Sequence, residues 1–225
     1  MSTIREMLPI SPPPRGVIFD LDGTLVDSFG LVIHAWNVAC REPTGRTYTD
    51  AEVIALFGVT EVAMLRRELQ PSQFEKAKKI FLDEYRARHQ VMCTVFDGVT
   101  DLLDTLSWRN VPMGIMTGKG RDTADITLAE LGWADRFKSV VTGDEVIKPK
   151  PDPEGPLLVA RELGIAPRDC IFIGDSPADI LAGKAAGMRT IWAGWHPVYE
   201  EKIRQIGPDY SAAAPADLKL LLRDV

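Results

Sequence analysis

Two aspartates, Asp20 and Asp22, flank a single leucine at the end of the apolar run Val17-Ile18-Phe19, and Gly23 and Thr24 follow. In extended chain, residues i and i+2 lean to the same side. Both carboxylates can therefore enter one site at the carboxyl end of a strand. Gly23 permits a sharp turn directly after them. Acids followed by glycine also make an ordinary turn, so this stretch alone leaves both readings open. A second cluster weighs on the first. Cys170-Ile171-Phe172-Ile173-Gly174 is another apolar run, and Asp175, Ser176, Pro177, Ala178 and Asp179 follow it. Two parallel strands ending in aspartates would concentrate negative charge, which is costly unless a cation is bound. Hard oxygen donors with no adjacent His or Cys cluster point to Mg²⁺ rather than zinc.

Two more strand ends carry polar groups. Gly114-Ile115-Met116 runs into Thr117, then Gly118-Lys119-Gly120. The Thr117 hydroxyl and free backbone N–H groups such as that of Gly118 could hold phosphoryl oxygens. The spacing is not that of a P-loop, because only three residues separate Gly114 from Gly118 and Lys119 precedes a glycine. Val146-Ile147 leads into Lys148-Pro149-Lys150-Pro151-Asp152-Pro153, where the prolines stiffen a loop that could fix a lysine in place. In isolation that loop reads as a solvated basic turn.

The elements that must position these groups alternate. Short apolar runs at Gly16–Asp20, Pro112–Thr117, Ser139–Thr142, Cys170–Gly174 and Arg189–Trp192 predict strands. Helical patterns near Val99–Ser107, Arg121–Leu131, Pro153–Leu163 and Pro177–Ala186 lie between them. Continuous apolar strands spaced by helices predict a parallel sheet covered on both faces, with ligands at the strands' carboxyl ends. From Phe29 to about Met92 the alternation fails. Leu31–Arg41, Ala51–Phe57, Thr60–Leu69 and Ser72–His89 all read as helices, with Thr60 suited to an N-cap. The expected fold class is α/β: a Rossmann-like three-layer core with a parallel sheet plus an inserted α-helical cap domain. Residues 1–28 and 95–225 form the core, residues 1–15 being a flexible leader, and residues 29–94 form the cap. Within the leader, Ser11-Pro12-Pro13-Pro14 fits a stiff extended segment as well as a disordered tail.

The chain has 225 residues, 45% hydrophobic and 26% charged, with a formal net charge of −6 and no Lys/Arg block. This argues for a folded soluble protein and against a nucleic-acid or anionic-membrane partner. The three cysteines, Cys40, Cys93 and Cys170, are far apart and lack CxxC spacing, which disfavours zinc and disulfides. No stretch reaches the length of a membrane span or reads as a cleaved signal, so the expected compartment is a reducing cytoplasm. The expected partner is a small phosphorylated metabolite, bound by a monomer or a homodimer.

The four polar strand ends, in their order and approximate spacing, resemble the haloacid dehalogenase (HAD) superfamily from about Gly16 onward, and most closely its phosphoglycolate phosphatase-like hydrolases with a helical cap. The resemblance implies a Mg²⁺-dependent phosphoric monoester hydrolase. In it, Asp20 is the nucleophile that forms an aspartyl phosphate. Asp22 is the general acid–base and a metal ligand through its backbone carbonyl. Thr117 donates to a phosphoryl oxygen, and Lys148, in a KPxP run with Pro149 and Pro151, offsets charge. Asp175 is a metal ligand, and Asp179 is direct, water-mediated or supporting. Dehalogenase members lack the second aspartate, so Asp22 favours phosphoryl chemistry. β-Phosphoglucomutase-like members carry a His and an Arg where Val32 and Glu61 stand here, which counts against a phosphomutase; His34 lies two residues off. A catalytically inactive binding protein would have lost a motif residue, and none is missing. Substrate selection is expected from the cap turn Leu56–Glu61. Glu61 is either a substrate-facing acid that repels a second anion or a first-turn acid favoured by the helix dipole.

Overall fold

The computed structural model describes residues 9–196 and 200–225; the expected leader residues 1–8 lie outside the described set. Six parallel strands form the central sheet: β1 (Gly16–Phe19), β4 (Met113–Met116), β5 (Ser139–Val141), β6 (Cys170–Gly174), β7 (Arg189–Ala193) and β8 (Tyr210–Ala212), in the order β5-β4-β1-β6-β7-β8. The five expected strands are present within a residue or two. β8 is the addition: its three residues carry no apolar run, and pairing of Ile191 with Tyr210 and Ala193 with Ala212 makes it a strand.

The helices between strands are α5 (Val99–Trp108), α6 (Arg121–Glu130), α7 (Glu154–Leu163), α8 (Pro177–Ala185), α9 (Glu200–Ile206) and α10 (Pro215–Leu221). Side-chain alternation along β1 sorts the core into two layers. Val17 and Phe19 belong to the buried cluster that includes Leu102 and Leu103 of α5 and Leu218 of α10, whereas Ile18 belongs to the one that includes Val159 of α7 and Ala182 of α8. Residues on both faces of β1 are buried, as its unbroken apolar run requires.

Between β1 and β4 the chain leaves the sheet through β2 (Val26–Asp27) and makes α1 (Phe29–Thr44), α2 (Asp50–Ile54), α3 (Glu61–Glu68) and α4 (Pro71–Met92). It returns through β3 (Thr94–Val95). No described residue of this segment forms a strand between Phe29 and Met92. The four helices correspond to the expected ones, with α1 and α4 extended at both ends. β2 and β3 pair antiparallel, Val26 with Val95 and Asp27 with Thr94, and so tie the outgoing and returning chain together. Thr60 caps α3 by accepting from the Ala63 N–H at 3.3 Å. α4 lies along α6, linked by the Tyr85 and Thr127 hydroxyls at 2.9 Å and by Lys78–Asp122 at 2.8 Å.

Residues 9–15, expected within a flexible leader, lie on the core instead. Ile10 is buried and its N–H donates to the Leu221 carbonyl at 3.0 Å, while the Arg15 N–H donates to Asp169 at 2.7 Å. Burial of Ile10, the two backbone hydrogen bonds and the contact of Arg189 with the Pro12 carbonyl together offset the freedom this segment gives up. No described helix is long and apolar enough to cross a membrane.

Candidate active site

Chain order reverses at β1: β4 and β5 lie on one side of it, β6 to β8 on the other. Open parallel sheets place ligands at such a switch point, beyond the carboxyl ends. Register brings the acids together there. Phe19 pairs with Ile173, and the Asp20 N–H donates to the Ile173 carbonyl at 2.9 Å, so Asp20 and Asp175 leave adjacent strands side by side. Gly23 closes the turn at φ 81°, and a Cβ at that position would lie 2.5 Å from Asp175 Oδ2, so only glycine fits. Two indoles hold the flanking backbone: Trp192 Nε1 donates to the Asp175 carbonyl and Trp195 Nε1 to that of Thr24, each at 3.2 Å. These two tryptophans thus pin the loops that carry the acids.

Asp20, Asp175 and Asp179 are all buried, and each offers an oxygen within 4.8 Å of the others. Asp179 sits in the first turn of α8. Its Oδ2 accepts from the Ser176 N–H at 2.9 Å and hydroxyl at 2.6 Å, and its Oδ1 accepts from Lys150 Nζ at 2.6 Å. Lys150 also donates to Asp20 Oδ1 at 3.0 Å. One ammonium is too little for three acids. Burial first, then the neighbouring carboxylates, push Asp20 up to about 7 against the pull of Lys150, and the same causes raise Asp175 well above the usual range. Buried oxygen donors that repel one another into holding protons are a donor set suited to a hard divalent cation.

Lys150 stands where Lys148 was expected. Lys148 is 71% exposed, and its nearest acid is Asp152 at 3.9 Å. The cause lies in the backbone. Glu154, in the first turn of α7, accepts from the N–H groups of Ile147 and Lys148 at 2.8 and 3.0 Å, holding both residues at the surface. The turn closed by Asp152 N–H to the Pro149 carbonyl then carries Lys150 inward, where only 9% of its side chain is exposed. Lys150→Met should therefore lower kcat/KM on an aryl phosphate by about 10²–10³-fold, the usual cost of removing one buried charge stabiliser. Lys148→Met should leave it near wild type. Comparable losses in the two variants would remove Lys150 from this role.

Asp22 is held apart from the cluster of three acids by other partners. Its Oδ1 accepts from the Ser28 hydroxyl, and Lys119 Nζ approaches Oδ2 at 3.2 Å. Lys119 is fully buried; it also meets Glu61 Oε1 at 3.1 Å and lies 4.8 Å from the centre of the Tyr85 ring. Burial alone would lower its pKa, but Asp22, the Tyr85 phenol and Glu61 outweigh that and hold it well above the ordinary value. Glu61, from α3, further accepts from the Gly120 N–H at 2.8 Å and the Thr123 hydroxyl at 2.9 Å, at the N-terminus of α6. It is thus a first-turn acid of its own helix that neutralises the first turn of another. Lys119, Ser28 and Tyr85 were not singled out as site residues. A lone lysine between two glycines at a strand end was the available signal for Lys119; nothing local distinguishes Ser28 or Tyr85. His34 pairs with Glu84 at 3.3 Å on the helical surface and does not line the site.

These groups face a cavity of about 370 Å³. Asp20, Asp22, Thr117, Gly118, Lys150 and Asp175 line its core side, with Glu61 among the residues of the helical side. Thr117 is buried, and its N–H is held by the Val141 carbonyl at 3.0 Å. Residues 17–193 match the model of the haloacid dehalogenase-like hydrolase family. The chain belongs to that family. It is 33% identical over 196 residues to a phosphoglycolate phosphatase of Xylella fastidiosa, covering 84% of this chain and 86% of that one. It is 32% identical over 206 residues to the pyrophosphatase PpaX of Bacillus velezensis, covering 90% and 93%. Among solved structures, a predicted phosphoglycolate phosphatase from Haemophilus somnus superposes with a TM-score of 0.78 at 23% identity, over 91% of this chain and 96% of that one, and so shares the fold. This HAD-family chain is an enzyme of the phosphatase kind.

Proposed function

We propose that this HAD phosphatase is Mg²⁺-dependent and hydrolyses a small phosphomonoester through an aspartyl phosphate on Asp20. The observation that carries the reading is the convergence of Asp20 and Asp175, backed by the buried Asp179, with Lys150 on a cavity whose floor Thr117 completes. Asp20 and Asp175, with Asp179 behind them and the Asp22 carbonyl, would hold Mg²⁺, which when bound offsets the charge that the phosphoryl group shares with Asp20. Asp20 attacks phosphorus, and the bond to the leaving oxygen breaks as that oxygen takes a proton from Asp22. Asp22 then accepts a proton from the water that attacks the acyl phosphate, releasing inorganic phosphate and freeing Asp20. Lys150 balances the charge on Asp20 throughout, and the Thr117 hydroxyl and Gly118 N–H donate to phosphoryl oxygens.

Residues 29–94 are assigned to the cap and residues 1–28 with 95–225 to the core. The contacts of Glu61 with Lys119 and α6 would hold the cap down while water is excluded, and the β2–β3 ribbon would carry its motion. A phosphomutase has less support. Val32 presents an apolar face to the cavity where an imidazole would be needed, and Glu61 is committed to Lys119 and α6.

The experiment is phosphate release from an aryl phosphate by metal-stripped protein, with and without Mg²⁺, paired with its melting temperature. Activity should return only with the metal, and full turnover in excess chelator would overturn the reading. Because Asp20 and Asp175 are raised in the folded state, that state binds more protons than the unfolded chain between the ordinary carboxylate range and about pH 7. The metal-free protein should therefore lose stability as pH rises through that window. Mg²⁺ should raise the melting temperature more at pH 7.5 than at pH 5, where protons compete for the same oxygens. Asp175→Asn should abolish that increment.

A further inference from the structure

The helical wall of the cavity differs in kind from its floor. Phe29, Val32, Ile54, Phe57, Val59 and Met64 line it. The Phe29 and Phe57 rings stack at 5.5 Å, and Phe29 stacks in turn on His196 at 4.9 Å, so the wall is braced by aromatic contacts. The charged groups near this wall are already matched. Glu61 is bound by Lys119, the Gly120 N–H and the Thr123 hydroxyl. Lys119 is enclosed between Glu61 and Asp22 with no exposed side-chain surface. Lys150 serves Asp20 and Asp179 on the floor. Arg66 lies over the Phe74 ring at 4.6 Å, and neither it nor Arg67 lines the cavity. Among the described residues that line the cavity, both lysines are engaged by carboxylates, and Glu61, the acid of the helical side, is engaged as well, so the wall offers no free charge to a charged leaving group. Burying an unpaired charge against such a wall is costly, whereas apolar surface gains by contact with it.

We propose that the alcohol released by this enzyme is neutral and presents an apolar face to Phe29, Val32, Phe57 and Met64, rather than carrying a carboxylate, a second phosphate or an amine. The inference rests on the phosphatase reading and names the substrate class of the same site. It separates this chain from a hydrolase of phosphoglycolate or of pyrophosphate, whose leaving groups are anionic.

The test uses n-butyl phosphate with its ω-carboxylate and ω-ammonium analogues of equal length, assayed with Mg²⁺. Their leaving alkoxides are of similar basicity, so differences in kcat/KM read the wall and not the chemistry. The butyl ester should exceed both charged analogues by at least about tenfold, the discrimination one pocket contact commonly supplies. Phe57→Ala should lower the ratio of kcat/KM for butyl over methyl phosphate by at least about threefold, because the contact it removes is made only by the longer chain. Ile54→Ala, at the cavity's exposed rim, is the second variant should the first fail to fold, and it should lower the same ratio. A charged analogue equal to or better than the butyl ester overturns the inference and leaves the phosphatase intact. So does a ratio unmoved in the folded variant. Phosphate release from none of the esters, including an aryl phosphate, removes the phosphatase reading and this inference with it.

Discussion

Asp20→Asn should abolish turnover, with kcat reduced by at least about 10⁴-fold, as when the nucleophile of a covalent mechanism is removed. An amide has nearly the shape of the carboxylate but little nucleophilicity. The surroundings should survive the change, because Lys150 keeps its 2.6 Å contact with Asp179 and the Asp20 N–H keeps Ile173. Asp20 is also strained electrostatically, pushed up to about 7 by burial and by its acidic neighbours despite Lys150. Neutralising it should therefore raise the melting temperature of the metal-free protein at neutral pH, so that activity and stability move in opposite directions. Steady-state kinetics, thermal unfolding and the intact mass, which excludes deamidation back to Asp, check this together. Wild-type turnover in a variant of confirmed mass would remove Asp20 from the nucleophile's place.

Asp22→Asn should cost about 10²–10⁴-fold in kcat, the usual range for a general acid–base. The loss should depend on the leaving group in a way no packing defect mimics. The first step should slow most for an alkyl phosphate, whose departing oxygen needs a proton, and less for an aryl phosphate. The second step should slow for every substrate, since the attacking water has lost its base. With a fast-leaving aryl phosphate, a phosphoryl group should consequently accumulate on Asp20 and be trapped by rapid quenching and mass analysis. With its oxygen in the Oδ1 position, the amide can still accept from the Ser28 hydroxyl and, at 3.4 Å, from Lys119 Nζ, so the side chain should keep its place. Equal losses for alkyl and aryl esters in a single-turnover first step would show that Asp22 does not protonate the leaving oxygen.

The difference between Lys148 and Lys150 shows where one-dimensional reading runs out. The run Lys148-Pro149-Lys150-Pro151-Asp152-Pro153 offers two lysines, each followed by a proline, and nothing local separates them. Glu154 separates them by holding the backbone of Ile147 and Lys148 at the surface, and the next turn swings Lys150 into the acids. Glu61 repeats the lesson. As a first-turn acid it was legible; its bonds to Lys119 and to α6, 59 residues away at Gly120, were not.

What the chain determines on its own is periodic or local. Apolar runs buried on both faces make β1, β4, β5, β6 and β7 readable, and the failure of that alternation after Phe29 marks the helical segment. Acids and a hydroxyl set directly at strand ends are legible because a strand's terminus in a parallel sheet has a known place relative to the ligand. What only the tertiary structure decided depends on partners distant in sequence. β8 exists because β7 offers an edge, and β2 and β3 pair because the two crossings to the helices run side by side. Lys119 is a buried cation because Asp22, Glu61 and Tyr85 arrive from three separate segments to surround it. A buried charge is tolerated only where such partners converge, and convergence is a property of the packed chain rather than of any stretch of it.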